Sequence, residues 1–296
     1  LKVKPKKKKV MMKLKTRIKN KIMSKITAAE VNKLRKATGA GMMDCKKALV
    51  EADGNFEAAI ENLRKKGQKV AAKRADRESS EGAVIAMVND SMNKGVVISL
   101  NCETDFVAKN ESFIEFAKSL CKIAINCSSI EELLSSEYES MNVSEKLIEQ
   151  TGVIGEKLEI GSFELINSEY VGFYIHAGNK IGTLVGLSNK FEGSEELSKN
   201  IAMQVAAMNP IALNQDGVSK DIIEKEIEIA KEQLRAEGKP EAMLDNIAKG
   251  KLKKFFKEST LINQAYIKDN KSSVYDYVKS VNQDCEITDF KRVALV

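Results

Sequence analysis

The chain has 296 residues, of which 43% are hydrophobic and 30% are charged. This composition is typical of a helix-rich, soluble globular protein with two or more domains. No apolar run approaches the roughly 18 residues that a membrane-spanning helix needs. The five cysteines are scattered without a CxxC pair, which favours reduced thiols over a disulfide framework or a zinc site.

The net charge of +6 conceals an uneven distribution. Residues 1–23 contain ten lysines, one arginine and no acidic residue, so the remaining 273 residues carry a net charge of −5. Such a block predicts a basic disordered extension, which could contact RNA or anionic lipid or serve as a targeting segment. A third interpretation, favoured by the sequence "MSKITAAEV", is that the natural chain begins at Met23.

Residues 24–66 are predicted to form three short helices around a small core. Thr27 is a good N-cap with Glu30 three positions later, and Gly39 can end the first helix. Asn55 caps the third helix. Apolar residues recur at helical spacing: Val31, Leu34, Cys45, Ala48, Leu49, Ala52, Phe56, Ala59, Ile60 and Leu63. The polar stretch that follows predicts a linker over residues 67–81.

Residues 82–156 and 157–218 are predicted to form two related α+β subdomains, because strands are followed by a helix in both. The predicted strands span 82–89, 95–103, 158–165, 170–176 and 181–187. Asn110 caps the helix of the first subdomain, and Ser194 caps the helix of the second.

Residues 219–258 are heavily charged with a narrow apolar stripe, which predicts a projecting antiparallel helical hairpin. The stripe consists of Ile223, Ile227, Ala230, Leu234, Met243, Ile247, Leu252 and Phe255. Residues 259–296 are predicted to complete the core and form a C-terminal module, with a helix over 272–281 and a strand over 286–295.

The common signatures of enzyme and cofactor sites are absent. There is no P-loop, and "GAGMMD" at 39–44 lacks the preceding strand and third glycine of a dinucleotide fingerprint. "EADGN" at 51–55 lacks the ligand spacing of a calcium loop. His176 is the single histidine, and no paired acid–base groups stand out. We therefore expect a protein that is not an enzyme and binds no cofactor.

Three sites place unusual residues in polar surroundings: Met42–Met43, Asp105–Phe106 and His176. Large aromatic residues are usually buried, so core packing is the alternative for Phe106. Two features argue against core packing: Asp105 precedes the Phe106 ring, and the following helix has a full apolar face without Phe106. One helix face cannot bury two successive methionines, so core packing is the alternative for one of them and the other is expected to be exposed. For His176 the alternative is a purely structural role.

Two segments, "LRKATGAGMMDCKKAL" (34–49) and "TDFVAKN" (104–110), resemble the two signatures of the bacterial elongation factor Ts family. The resemblance runs from Ile26 to Val296 and includes the "IHAGNKIG" hairpin (175–182). It implies a ubiquitin-associated-like three-helix domain, a core of two α+β subdomains, the helical hairpin and the C-terminal module. It also implies a translation elongation factor of the bacterial cytoplasm that acts as guanine-nucleotide exchange factor of elongation factor Tu.

The resemblance further implies a binding mode. In the family, the aromatic residue of the TDFVAKN segment wedges between two helices of the GTPase near its magnesium site, and that position is Phe106 here. By position, the implied partner-binding residues are Arg35, Met42, Met43, Thr104, Asp105, Phe106, Val107, Ile154, Gly155 and His176. The expected partner is elongation factor Tu, GDP-bound or nucleotide-free, and neither a membrane nor a specific nucleic acid is expected.

Two other function classes remain open on the residues alone. The first is an RNA-binding protein that uses the lysine-rich segment, which removal of residues 1–22 would test. No RNP-type aromatic pair or clustered basic face lies outside that segment. The second is a helical adaptor, in which residues 27–66 alone bind a partner without any effect on nucleotide release.

Overall fold

The computed structural model describes residues 26–295, and these form the mixed helix-and-sheet, α+β protein that the sequence predicts. The chain is divided into two compact units. The first comprises residues 26–80, 101–107 and 134–159, and the second comprises 81–100, 108–133 and 160–295. The predicted basic extension over 1–23 lies outside the described residues.

Groups of helices and groups of strands follow one another along the chain. The helices are α1 (Ala28–Thr38), α2 (Met42–Glu51), α3 (Phe56–Arg74), α4 (Asp105–Ala108), α5 (Glu111–Ala124), α6 (Ile130–Ser135), α7 (Val143–Ile154), α8 (Ser194–Met208), α9 (Lys220–Ala236), α10 (Glu241–Ser259) and α11 (Val274–Val281). The strands are β1 (Glu81–Val88), β2 (Lys94–Cys102), β3 (Glu137–Tyr138), β4 (Met141–Asn142), β5 (Glu159–Asn167), β6 (Tyr170–Ile175), β7 (Ile181–Leu187), β8 (Ala265–Tyr266), β9 (Asp269–Ser273) and β10 (Ile287–Ala294). Within residues 26–295, no helix has the length and apolar character needed to cross a bilayer.

The three predicted N-terminal helices are present as α1, α2 and α3. Thr27 and Glu30 form the predicted reciprocal capping box, and Gly39 ends α1 in a left-handed conformation. Asn55 caps α3 by accepting a hydrogen bond from the Ala58 N–H at 3.0 Å. The predicted core residues pack together: Val31, Leu34, Cys45, Ala48, Leu49 and Ala59 are buried, and Ala52, Phe56, Ile60 and Leu63 pack against them.

The predicted linker over 67–81 is wrong in its first half, because α3 continues to Arg74. The segment "GQKVAAKR" is made largely of good helix formers, which extend a helix whose first turns are already packed. Gly67 lies inside α3, where it allows close approach of α7. A Cβ built on Gly152 of α7 would lie only 2.4 Å from the Gly67 Cα. A glycine within the predicted linker is thus a helix-packing residue.

Two three-stranded sheets form the centre of the second unit, with strand orders β1-β2-β5 and β10-β7-β6. All six strands contribute to one buried cluster, which consists of Val84, Ala86, Val97, Ile166, Val171, Leu184 and Val293. Helix α8 packs on β6 and β7 through an apolar face that includes Leu197, Ile201 and Val205. All five cysteines are buried thiols that form no disulfide with one another, as predicted, and burial raises the pKa of the Cys121 thiol to about 12.

Strand β5 lies in a different sheet from the one that the repeated sequence pattern indicates. The pattern groups it with β6 and β7, whereas in the structure β5 is the edge strand beside β2. The third strand of the second sheet is β10, which pairs antiparallel with β7. Local pattern cannot reveal such a pairing, because strands that are distant in sequence are matched by packing and register.

Helices α9 and α10 form the predicted antiparallel pair. Ion pairs join them across the hairpin, with Lys231 2.9 Å from Asp245 and Arg235 2.7 Å from Glu241. The buried stripe is narrow and consists of Ala230, Leu234, Leu244 and Ala248. Met243, predicted to lie in this stripe, is instead exposed, because the neighbouring Leu244 takes the inward position.

Candidate functional site

The segment that carries Phe106 is a single helical turn. The sequence predicts a connector here, and the structure folds Asp105–Ala108 into the short helix α4. Ala108 is buried, whereas the Phe106 side chain is 83% exposed, more than any other exposed large apolar residue of the described chain. Core packing is therefore the wrong alternative for Phe106. Asp105 and Val107 are half-buried.

A carboxylate from elsewhere in the first unit fixes the base of this turn. Glu156 lies two residues after the end of α7. Its Oε2 accepts hydrogen bonds from the backbone N–H groups of Glu103, at 3.1 Å, and Thr104, at 3.0 Å. Its Oε1 accepts a third from the Thr104 hydroxyl at 2.6 Å. The Thr104 Oγ1 also accepts a hydrogen bond from the Val107 N–H at 3.5 Å, so one hydroxyl joins Glu156 to α4.

Glu103 makes the reciprocal contact. Its Oε1 accepts a hydrogen bond from the Lys157 backbone N–H at 2.7 Å, and both of its carboxylate oxygens lie 2.7 Å from the Arg74 Nη1. Burial acts to raise the pKa of the Glu103 carboxyl, but the Lys157 N–H and the Arg74 guanidinium outweigh it and hold this pKa below its ordinary value. The carboxylate is therefore ionised at neutral pH, which strengthens these hydrogen bonds.

Both methionines of "GAGMMD" are exposed, Met42 by 52% and Met43 by 64%. Core packing is therefore the wrong alternative for both of them, because they are the first two residues of α2 and its buried face begins only at Cys45. Asp44 forms an ion pair with Lys66 of α3 at 2.6 Å, which holds the start of α2 against α3. Two adaptable thioether side chains are thus presented at an anchored helix start.

The end of α7 lies beside the turn between α1 and α2. A Cβ built on Gly39 of that turn would lie 3.8 Å from the Val153 Cγ1. Ile154 is half-buried, and Gly155 ends α7 in a left-handed conformation with φ of 85°. Glu156 follows directly. The end of α7 therefore contacts both the turn that precedes the methionines and the turn that carries Phe106.

Nine of the ten predicted partner-binding residues belong to the first unit: Arg35, Met42, Met43, Thr104, Asp105, Phe106, Val107, Ile154 and Gly155. Arg35 is exposed in the last turn of α1, where its carbonyl oxygen accepts the Gly39 N–H at 2.8 Å. The tenth residue, His176, belongs to the second unit.

His176 directly follows β6 and is exposed. Its backbone N–H donates to the Ile181 carbonyl oxygen at 2.9 Å, which closes the turn before β7. Its Nδ1 shares a hydrogen bond with the Tyr174 hydroxyl at 3.1 Å. The backbone of His176 thus has a structural role, while the rest of its ring is accessible.

Sequence reasoning misses the residues that hold the site, namely Arg74, Glu103, Glu156 and Lys157. Arg74 lies in the predicted linker, and Glu103 precedes the TDFVAKN segment without belonging to it. Glu156 and Lys157 are more than fifty residues away in sequence and follow no local pattern. The one feature of the sequence that could have indicated these residues is a charged side chain at the end of a helix or strand. Such side chains are too common to identify a site. In the part of the chain that the structure describes, no group of three or more His, Cys, Asp or Glu side chains could hold a metal ion.

Comparison with known proteins defines the family. A sequence model of the family described as Elongation factor TS matches residues 103–296. The protein named Elongation factor Ts from Christiangramia forsetii is 67% identical over 273 residues, which is 92% of this chain and 100% of that protein. Proteins of the same name from Flavobacterium psychrophilum and Cytophaga hutchinsonii are 63% and 47% identical, each over 92% of this chain and 100% of its own length. These matches define the class as translation elongation factors. The chain belongs to the elongation factor Ts family.

Proposed function

We propose that this protein is the guanine-nucleotide exchange factor of elongation factor Tu in a bacterial cytoplasm. It binds elongation factor Tu·GDP and accelerates GDP release so that GTP can bind. The observation that carries the proposal is the 83% exposure of Phe106 on a turn held by the hydrogen bonds of Glu156. A large apolar ring kept out of its own core is available to enter the core of a partner.

Phe106 acts as the wedge. Moving a phenylalanine side chain from water into an apolar site contributes about 1.5–3 kcal/mol, and here that free energy is gained only when the ring enters elongation factor Tu. Insertion between two helices beside the magnesium and phosphate site pushes apart the groups that hold these ligands. GDP therefore loses contacts without being touched. Coupling free energies between two binding sites are typically about 1–3 kcal/mol, so burial of one aromatic ring is of the required size.

The other predicted residues widen the contact. Met42 and Met43 give the three-helix domain, which we expect to be ubiquitin-associated-like, an adaptable apolar contact on the same GTPase. Asp105 orients the turn or meets a polar group beside the wedge. The remaining contacts are Arg35, Thr104, Val107, Ile154, Gly155 and His176.

No covalent step is involved, so the protein is not an enzyme and needs no cofactor. Its effect is a change in relative affinity, and such coupling is reciprocal: a factor that weakens GDP binding must itself be weakened by GDP to the same extent. Excess GDP should therefore dissociate the complex, and the factor alone should not bind GDP. Neither a membrane nor a specific nucleic acid takes part.

The test follows release of fluorescent GDP from elongation factor Tu in the presence of excess unlabelled nucleotide. The wild-type protein should accelerate release. Phe106→Ala should reduce kcat/KM for release by about thirtyfold, because interface aromatics often contribute about 2 kcal/mol. Met243→Ala, which removes another exposed apolar side chain (52% exposed) from the helical hairpin, is the control and should behave as wild type.

A stability measurement on the same samples separates a contact residue from a core residue. Phe106→Ala should change the free energy of unfolding by no more than about 0.5 kcal/mol, as for other surface substitutions. Phe113→Ala, which removes a ring that is only 2% exposed, should cost about 3–5 kcal/mol. A sharply lowered melting temperature for Phe106→Ala, with normal release by its folded fraction, would contradict the wedge.

A further inference from the structure

We infer that Glu156 is a positioning residue that ties the Phe106 turn to the end of α7, so that Phe106 and the two methionines meet the partner as one preorganised surface. The role in exchange rests on the function proposed above. The local part of the inference, that Glu156 holds the turn in place, can be tested on the free protein.

The turn needs an external support. Helix α4 has four residues, and so short a helix is not stable by itself because nucleation is unfavourable. The Glu156 carboxylate supplies the support by accepting the N–H groups of Glu103 and Thr104 and the Thr104 hydroxyl, at 3.1, 3.0 and 2.6 Å. A carboxylate can accept all three at once, because it has two oxygens and no donor of its own when ionised.

The support is reciprocal. Glu103 accepts the Lys157 N–H at 2.7 Å while Glu156 accepts the Glu103 N–H, so the two segments exchange hydrogen bonds in both directions. Arg74, the last residue of α3, lies 2.7 Å from both Glu103 carboxylate oxygens. The turn is thus connected to the ends of α3 and α7. We name this group, Arg74, Glu103, Thr104, Glu156 and Lys157, the carboxylate clamp.

The same end of α7 supports the methionines. Val153 packs beside Gly39, in the turn that leads to Met42. Val153, which packs against the α1–α2 connection, and Glu156, which holds the Phe106 turn, are therefore only three residues apart. Two contact points that are already held in place lose little conformational entropy when the complex forms. Preorganisation raises affinity because this entropic cost is avoided.

The first experiment measures local order without any partner. In Glu156→Ala, amide hydrogen exchange at Glu103, Thr104 and Val107 should become faster, while exchange within β1 should not change. Glu61→Ala is the matched control, because Glu61 belongs to the same unit and makes an exposed ion pair with Lys65. Unchanged protection at the three amides in Glu156→Ala would overturn the inference.

The second experiment measures nucleotide release. Glu156→Ala should reduce kcat/KM about tenfold, since several charge-assisted hydrogen bonds are lost, and Glu61→Ala should behave as wild type. Glu156→Gln should retain most of the activity, because its amide oxygen can still accept the two N–H groups. An equal loss in Glu156→Gln and Glu156→Ala would overturn the assignment of these two hydrogen bonds as the support.

The third experiment is a double-mutant cycle. If Glu156 acts through Phe106, the effect of Glu156→Ala should largely disappear in a Phe106→Ala background. Additive effects would overturn the positioning role, since a general loss of structure would act in either background. Should Glu156→Ala fail to fold, Glu156→Asp, whose carboxylate is one methylene shorter and reaches the Glu103 and Thr104 N–H groups less well, replaces it in both the cycle and the amide measurement. If the wild-type protein does not accelerate GDP release from elongation factor Tu, the proposed function is rejected instead. The amide measurement would still show whether Glu156 holds the turn in place.

Discussion

Phe106 and Phe113 are seven residues apart and have opposite environments. Phe113 is 2% exposed on the buried face of α5, whereas Phe106 is 83% exposed. The helical spacing of α5 is enough to predict the burial of Phe113. The exposure of Phe106 depends on a turn whose base is held by Glu156, a residue fifty positions away in the sequence. At the scale of single residues, the burial of Phe113 thus follows from the local pattern alone, whereas the turn that carries Phe106 is also held by a distant hydrogen-bond acceptor.

The Glu103 carboxyl gives a pH dependence that can be measured. Its pKa is lowered in the folded protein, in which the Lys157 N–H, Arg74 and the charge of Arg77 favour the ionised form. The ionised group therefore stabilises the fold. This contribution is fully present above the ordinary pKa of 4.5, and it is lost as the pH falls through the lowered folded-state pKa.

The measurement compares wild type with Glu103→Gln by urea unfolding at a series of pH values. The difference in free energy of unfolding should be constant near neutral pH and should shrink as the pH falls below about 4.5. A difference that persists unchanged at about pH 3 would show that the ionised form of Glu103 is not what stabilises the fold.

At the scale of elements, the contact between α3 and α7 determines how the site is built. The continuation of α3 to Arg74 brings a guanidinium to Glu103. The close approach of Gly67 and Gly152 sets the position of α7, whose end lies beside both of the proposed contact points. Neither glycine has an αL conformation, so both are required by packing and not by backbone geometry.

Gly152→Ala tests this packing. The added Cβ would lie 2.4 Å from the Gly67 Cα, so the backbone must shift to relieve the clash. We expect a loss of about 1–3 kcal/mol in the free energy of unfolding, as for other overpacked sites. The same change at Gly250 of α10, where a Cβ meets nothing within 4 Å, should stabilise by about 0.5–1 kcal/mol.

Both variants are compared with wild type by urea unfolding under the same conditions. An equal gain in stability for Gly152→Ala and Gly250→Ala would show that α3 and α7 are not in close contact. A loss of stability in Gly152→Ala that is accompanied by slower GDP release would further connect this helix contact to the candidate functional site.

At the scale of the whole molecule, the charge distribution separates the lysine-rich segment from the rest of the chain. Residues 1–23 carry eleven positive charges, and the remainder is mildly acidic. All the partner contacts proposed here lie between Arg35 and His176, within the described residues. Exchange should therefore depend on the folded part of the chain.

Deletion of residues 1–22 tests this expectation. Release of fluorescent GDP should be unchanged at ordinary salt, because the folded part supplies the contacts. At low salt, the full-length protein should bind RNA nonspecifically and the deleted protein should bind it less, since such attraction depends on counterion release. A large loss of exchange at moderate salt would make the segment a functional element.

The sequence by itself determines the local structure of this protein. Thr27, Asn55 and Asn110 mark helix starts correctly, because capping joins residues two or three positions apart. Ser194, predicted as a cap, is instead the first residue of α8, and Gly193 occupies the N-cap position. The apolar periodicity likewise predicts the N-terminal core and the hairpin. The two signature segments are also contiguous, which is why the family could be recognised before the fold was known.

Only the tertiary structure decides the features that join distant segments. The pairing of β10 with β7, the continuation of α3 toward Glu103, and the acceptance of the Thr104 N–H by Glu156 each link positions that are remote in sequence. These three contacts have the same physical cause, because a buried backbone N–H or carboxylate needs a hydrogen-bond partner. The residues next to it in sequence do not indicate which distant residue supplies that partner. The segment of Phe106 itself indicates that the ring is exposed, because the following helix has a full apolar face without it, but the turn that carries the ring is held by these long-range contacts.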